Sequence, residues 1–274
     1  MTCKIIVFKI LILLLWLAPN CYSQIRTEVI GGDTVTIFRF ESEDKVDIEL
    51  KTNLKQKEDP SIFEYNYDLK SLDNSIQEIY RFKIFGLENV ASTETPIGWF
   101  KLNSTANNSA GWASKDSLNR ISPDERKDGF IIRSKNLPGI VNFKVWGWVP
   151  VPVFDEVPDS TENSSSFDGK LGTTIGPVHL PDKKTANELL NTLHSYLSFS
   201  CDTTWIENQG ICNSLQAKLE NVQEQVAQNN NKAAGNNLRA FLNQLNALKE
   251  KQISSEVYAL LYFNGVFLKE RLED

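Results

Sequence analysis

"FEYNYDLK" (residues 63–70) decides the fold. Phe63, Tyr65, Tyr67 and Leu69 share one face of an extended chain; Glu64, Asn66, Asp68 and Lys70 share the other. Side chains alternate across a strand with a period of two, so the stretch describes a sheet with one buried and one wet face. The same period recurs around it. "VDIEL" (46–50) sets Val46, Ile48 and Leu50 against Asp47 and Glu49. "EIYRFKIFGL" (78–87) sets Tyr80, Phe82 and Ile84 against Arg81 and Lys83. "DTVTIFRF" (33–40) sets Thr34, Thr36 and Phe38 against Val35, Ile37 and Arg39. Turn-forming segments such as "IGG", "EDPS", "LDNS" and "NLPG" separate the runs. Short strands punctuated in this way predict an antiparallel β-sandwich over residues 24–154. The absence of βαβ alternation argues against an open nucleotide-binding sheet.

After Pro181 the period changes. Thr185 and Glu188 have the spacing of a capping box, followed by Leu189, Leu193 and Leu197 on one stripe. Leu215, Leu219, Val222 and Val226 form a second stripe, and "NNN" (229–231) interrupts it. Ala234, Leu238, Phe241, Leu242 and Leu245 form a third. Ser254 can cap a fourth helix carrying Val257, Leu260, Leu261 and Leu268. Amphipathic helices of this length bury their stripes against one another, which predicts a compact helical bundle over residues 183–274. Between the two parts, residues 155–182 are rich in Ser, Pro, Gly and acid. They read as a linker, with a last strand near Thr173–Val178. The fold class expected is thus α+β in two domains, an antiparallel sandwich followed by a small α-helical bundle.

"WIENQGICNSLQAKL" (205–219), "NNNKAAGNNLRAFLNQLNA" (229–247) and "ISSEVYALL" (253–261) together resemble the FIMAH-type helical module. The likeness covers residues from about 183 to 272. Gly235 and Ser255 depart from its pattern, which expects a helix-favouring residue and a proline there. The resemblance implies a non-catalytic accessory domain on a secreted prokaryotic protein, with no ligand to carry over. "GWASKDSLNRISPDERKDGFIIRSKNLPGIVNFKVWGWVP" (111–150) is similar to segments of uncharacterised secreted proteins and implies no activity.

Residues 1–23 have the order of a secretory signal peptide: Lys4 and Lys9, then "ILILLLWLA" (10–18), then Ser23 as the small residue before cleavage. The apolar run is shorter than the roughly 20 residues a membrane span needs. Asn20 before Cys21 argues against lipidation. Loss of Lys4 and Lys9 takes the net charge from −6 to −8. No basic patch stands out, so nucleic acid and anionic membrane surfaces are not expected as partners. An extracellular or periplasmic location is expected.

Cys201 and Cys212 would be the two cysteines of the mature chain. With His179 and His194 they make four dispersed potential ligands, without the C-x-x-C or H-x-x-x-H spacing of a zinc site. Export argues against a catalytic thiol, and an even pair in an exported chain is expected to be a disulfide. No G-x-S-x-G elbow or H-E-x-x-H motif occurs. His179 reads as a linker residue and His194 as a packing or surface residue of the first helix. No cofactor is expected. Calcium is the ion that Asp124, Asp128, Asp155 and Asp159 could hold on loops. Asn103, Asn107 and Asn163 match the glycosylation acceptor pattern and mark wet stretches.

Aromatics supply the remaining candidate surface. In "IVNFKVWGWVP" (140–150), Val141, Phe143, Val145 and Val149 fall on one face, and Asn142, Lys144, Trp146 and Trp148 on the other. Packed inward, the first set would leave Trp146 and Trp148 side by side on the outer face, suited to a glycan or a protein partner. The competing arrangement covers them with "GWF" (98–100) or with the helices. Trp99 and Trp112 complete the candidate binding set. Function read at this level is non-catalytic recognition or surface architecture outside the cell. The alternative is a secreted carbohydrate-active hydrolase using a carboxylate pair.

Overall fold

The computed structural model describes residues 25–39, 42–102, 108–149, 160–162, 168–178, 185–203 and 205–273. Residues 1–23, with the expected signal peptide, lie outside them. So do His179, Asn103, Asn107, Asn163, Asp155 and Asp159.

The chain divides into two compact units. One holds β1 (Ile25–Ile30), β2 (Asp33–Arg39) and β11 (Ser160–Glu162). β1 and β2 pair antiparallel, and β11 pairs with β2 in parallel. Gly31 and Gly32 form the hairpin turn, with φ of 64° and 100°. Two consecutive positive φ values match the twist of a two-residue hairpin, and glycine takes them without strain.

The other unit contains two antiparallel sheets and four helices. The first sheet orders its strands β12 (Lys170–Pro177), β10 (Pro138–Gly147), β5 (Ile79–Phe85), β8 (Ser109–Ser114) and β7 (Trp99–Leu102). The second orders β3 (Ile48–Gln56), β4 (Phe63–Ser71), β9 (Arg126–Ser134) and β6 (Val90–Glu94). β4 alternates buried and half-buried residues along its whole length, as the pattern of residues 63–70 requires. Its inward rings meet those of the facing sheet. Tyr67 meets Phe82 of β5 edge-on with centroids 6.3 Å apart, and Phe130 of neighbouring β9 meets the same ring edge-on at 5.3 Å. The buried hydroxyls of Tyr65 and Tyr67 donate to the carbonyls of Asn136 and Ile175, at 2.9 and 3.0 Å. Such pairing removes the penalty of burying a phenol.

The last strand expected near Thr173–Val178 is Lys170–Pro177, a full strand of the sandwich that starts three residues earlier. It pairs with β10 from Pro138↔Pro177 to Val145↔Lys170. Gly172 lies opposite Phe143 in this pairing, and the Phe143 ring fills the space above it.

The helices are α1 (Ala186–Asp202), α2 (Gln209–Ala227), α3 (Asn231–Leu248) and α4 (Ser255–Glu273). The Thr185–Glu188 capping box opens α1, and the side chains of Asn208 and Asn230 cap α2 and α3. The expected stripes are buried, including Leu193, Leu215, Leu238 and Phe241. Gly235, where a helix-favouring residue was expected, is buried, and a Cβ there would meet nothing within 4 Å.

α4 differs from the expectation that the helices bury themselves only on each other. A helix apolar on more than one face needs more than one partner. Val257, Leu261 and Leu268 enter the bundle core, while Ala259 and Leu260 pack with Ile175 of β12. Phe263 meets Phe63 of β4 edge-on, with centroids 5.3 Å apart. Two buried polar residues fasten the same helix. Glu256 accepts a hydrogen bond from the Thr52 backbone N–H of edge strand β3. Asn264 donates to the carbonyls of Pro138 and Leu260, at 2.8 and 2.7 Å. Beneath Glu256, the hydroxyls of Thr52 and Thr174 lie 2.6 Å apart and link the edge strands of the two sheets. Sandwich and bundle are therefore one compact unit, and α4 covers a strand edge that would otherwise expose unpaired backbone groups.

Candidate functional site

Cys201 near the end of α1 and Cys212 in the first turn of α2 form a disulfide, with Cα atoms 6.1 Å apart. Residues 203 and 205–208 lie in the turn between these helices. Trp205 packs there edge-on against Phe199, at 5.3 Å, and buried Ile206 joins the bundle core. The cysteine pair thus closes a turn and carries no free thiol.

The four candidate tryptophans do not form one exposed face. Trp99 and Trp112 lie in the sandwich core. Their indole N–H groups donate to the carbonyls of Asn119 and Glu94, at 2.8 and 3.0 Å. Trp146 is only 6% exposed. The Arg81 guanidinium lies 4.3 Å from its ring centre, and the Gly169 backbone runs close beside it. Trp148 is half-buried under the Arg120 guanidinium, 3.7 Å away, and beside Tyr80. Arg120 is in turn paired with Glu78 at 3.2 Å. The register of β5 and β10 shifts at Trp146/Gly147, passing from Trp146↔Arg81 to Gly147↔Ile79. Tyr80 is left over at this bulge and packs on Trp148, away from the face the simple alternation gave it.

Of the candidate calcium ligands, Asp124 takes a left-handed φ of 65° and pairs with Lys70 at 3.1 Å. Asp128 is exposed in β9. Among the described residues no three His, Cys, Asp or Glu side chains group closely enough to hold a metal ion. His194 lies half-buried on α1 against α2, with its Nε2 shielded from solvent and unpartnered. Burial holds its pKa below the usual imidazole value, opposed by the carboxylate of Glu220 and the backbone at Leu219.

Where edge strand β3 meets the helical turns there is a cleft of about 880 Å³. β3 supplies Glu49, Lys51, Leu54 and Lys55; the α1–α2 turn supplies Trp205, Glu207 and Asn208. The α3–α4 turn supplies Lys249, Glu250, Lys251 and Ile253, followed by Tyr258 of α4. The lysines and Glu49, Glu207 and Glu250 are exposed at the rim, while Trp205, Leu54 and Tyr258 are half-buried walls. Lys249 places its ammonium 4.5 Å from the Tyr258 ring centre. The Tyr258 hydroxyl donates to Asn246 at 2.8 Å, and burial raises its pKa to about 12. The buried carboxylate of the cleft, Glu256, uses one oxygen for the Thr52 N–H; the other accepts from the Ser255 hydroxyl at 3.2 Å. This collection of charges of both signs around aromatic walls suits recognition of a polar partner. Its one buried acid is already engaged.

The sequence did not single out this cleft. Its alternations and stripes assigned no role to Lys51, Lys55 or the α3–α4 turn. A left-handed Glu250, with φ of 61°, closes that turn, and no residue type announced it.

Residues 190–265 match the FIMAH domain. No curated protein matches the chain. Among solved structures, the chain is similar to an uncharacterised protein from Nocardia farcinica whose structure reveals an immunoglobulin-like fold. The two share 13% identity over 47% of this chain and 98% of that one, with a TM-score of 0.30. Among the described residues no helix is long and apolar enough to cross a membrane.

Proposed function

We infer that this chain is a non-catalytic recognition module exported from the cell, and that the cleft between β3 and the helical turns is its contact surface. The partner is an extracellular protein or glycan. The observation that carries the reading is the engagement of Glu256. General acid–base catalysis needs a carboxyl free to meet substrate with a tuned pKa. Glu256 instead holds α4 to β3 through Thr52 and Ser255, while the rim keeps its mixed charge. The signal-like residues 1–23 and the Cys201–Cys212 disulfide support export.

The test is binding of the native chain and a Lys51→Glu, Lys55→Glu variant to immobilised glycans and extracellular-fraction proteins. The expected result is saturable binding by the native chain, weakened about tenfold or more in the variant with unchanged circular dichroism. Glycan hydrolysis that is lost on replacing Glu49 or Glu207 by Gln would overturn the reading in favour of a carbohydrate-active hydrolase.

A further inference from the structure

The sheet ordered β12-β10-β5-β8-β7 carries on its outer face a cluster of cations that the cleft does not use. Phe82, Ile84, Phe143 and Val145 are buried on the inner face of β5 and β10, so Arg81, Lys83 and Lys144 share the outer one. Lys83 lies directly opposite Lys144 in the β5–β10 pairing. Opposite side chains of an antiparallel pair have Cβ atoms about 5 Å apart, and like charges placed there repel. On the other side of β5, Gly111 faces Lys83 and leaves room for the lysine stem; a Cβ there would stand 3.3 Å from Lys83 Cγ.

Among the described residues, the ion pairs of the sandwich include none of these three cations. Each lies against an aromatic ring instead. Arg81 is 4.3 Å and Lys144 5.9 Å from the Trp146 ring centre, and Lys83 is 4.9 Å from that of Phe85. A ring attracts a cation without cancelling its charge. Glu43, the acid that feels Arg81, is held by the Tyr80 hydroxyl at 3.2 Å. The outer face of the other sheet is built the opposite way: Arg133 pairs with Glu64 and Glu94, Arg126 with Asp68, and Lys70 with Asp124. A facing lysine pair works against the fold, and such a local conflict is expected where a site takes up the opposite charge.

We propose that this face binds an acidic polysaccharide, with a carboxylate or sulfate of the sugar seated between Lys83 and Lys144. Exposed Asn142 and Thr173 pair across β10 and β12 on the same face and offer an amide and a hydroxyl to sugar hydroxyls. A nucleic-acid backbone or an anionic lipid surface engages a longer run of cations, and the net charge of −6 opposes both. The site is a second face, separate from the β3 cleft. It is hidden in the sequence because Arg81 and Lys83 are far from Lys144 along the chain, and all three alternate with core residues.

The test is calorimetric titration of the full chain with polygalacturonate and with dextran sulfate at low salt, uncharged dextran being the control. The native chain is expected to bind at least one acidic polymer saturably, more weakly as salt rises, and to ignore dextran. The single variants Lys83→Glu and Lys144→Glu are each expected to lose that binding tenfold or more. Each should nevertheless melt about 1–3 °C higher than the native chain, because the new carboxylate faces a lysine. The Lys51→Glu, Lys55→Glu variant of the cleft is expected to keep the polymer binding, so the two sites stand or fall separately. A native chain that binds neither acidic polymer overturns the proposal. So does binding that the two single variants leave unchanged, or that the cleft variant loses. Tighter binding to a single-stranded DNA oligonucleotide or to phosphatidylglycerol vesicles than to either polymer would also overturn it and assign the face to phosphates.

Discussion

Asn264 in α4 donates a hydrogen bond to the backbone carbonyl of Pro138 in β10, 2.8 Å away, in a site where the Asn264 side chain is almost fully buried. With Glu256 on Thr52, it makes the contact between helix and sandwich directional. Apolar packing alone tolerates small slides of one surface over another, and a buried pair of hydrogen bonds does not.

Replacing Asn264 by Ala should therefore cost about 1–3 kcal/mol, the penalty for leaving a buried carbonyl unpaired. Denaturant titration of the variant beside the native chain measures this. A loss below a few tenths of a kcal/mol would show that the bond contributes nothing specific.

The Cys201–Cys212 bond spans 11 residues in sequence. A loop of that size corresponds to about 3 kcal/mol in the chain-entropy account of cross-links. Replacing both cysteines by Ser, or adding reductant, should lower stability by about that amount while leaving helix content unchanged below the transition. Free-thiol labelling of the folded native chain should be negligible.

His194 gives the bundle a dependence on acid. Its folded pKa lies below the ordinary imidazole value because burial disfavours the charged ring. The unfolded chain then binds the proton more readily. Stability should be full above about pH 6.5, fall as pH drops through the unfolded pKa, and level off below the folded one. Glu220, the charged group facing it, opposes the shift. A His194→Gln variant should lack this slope when melting is compared across that range.

Gly172 is an overpacking test. A Cβ there would stand 2.3 Å from the Phe143 ring, inside contact distance. Gly172→Ala should destabilise by about 1–3 kcal/mol as the ring or the strand shifts. The β12–β10 pairing explains a glycine that the sequence pattern left as part of a polar connection.

Much of this fold was legible because burial follows the simplest periods. Residues 63–70 alternate as written, and the helical stripes of α1, α2 and α3 are buried as spaced. Periodicity says which face is apolar, but it does not say what covers it. The second face of α4 was hidden for that reason: Leu260 read as a member of an ordinary bundle helix, yet with Phe263 it rests on the sandwich. Tyr80 misled because one bulge reverses the alternation. Trp146 is covered, as one of its two expected arrangements had it, but by the Arg81 guanidinium and not by residues 98–100 or the helices; a cation can cover an indole on an outer face, so an outward position need not be an exposed one. The cleft was out of reach because it joins strand β3 to two turns roughly 150–200 residues away along the chain.

The account stands on sandwich and bundle being a single unit locked by α4. Its most direct test is equilibrium unfolding followed by two probes at once: tryptophan fluorescence, which reports largely on the sandwich, and helical circular dichroism, which reports on the bundle. Coincident transitions are expected for the native chain, separating when Glu256 and Asn264 are both replaced by Ala. Two well-separated transitions in the native chain, with the helices melting while the sandwich stays folded, would contradict it.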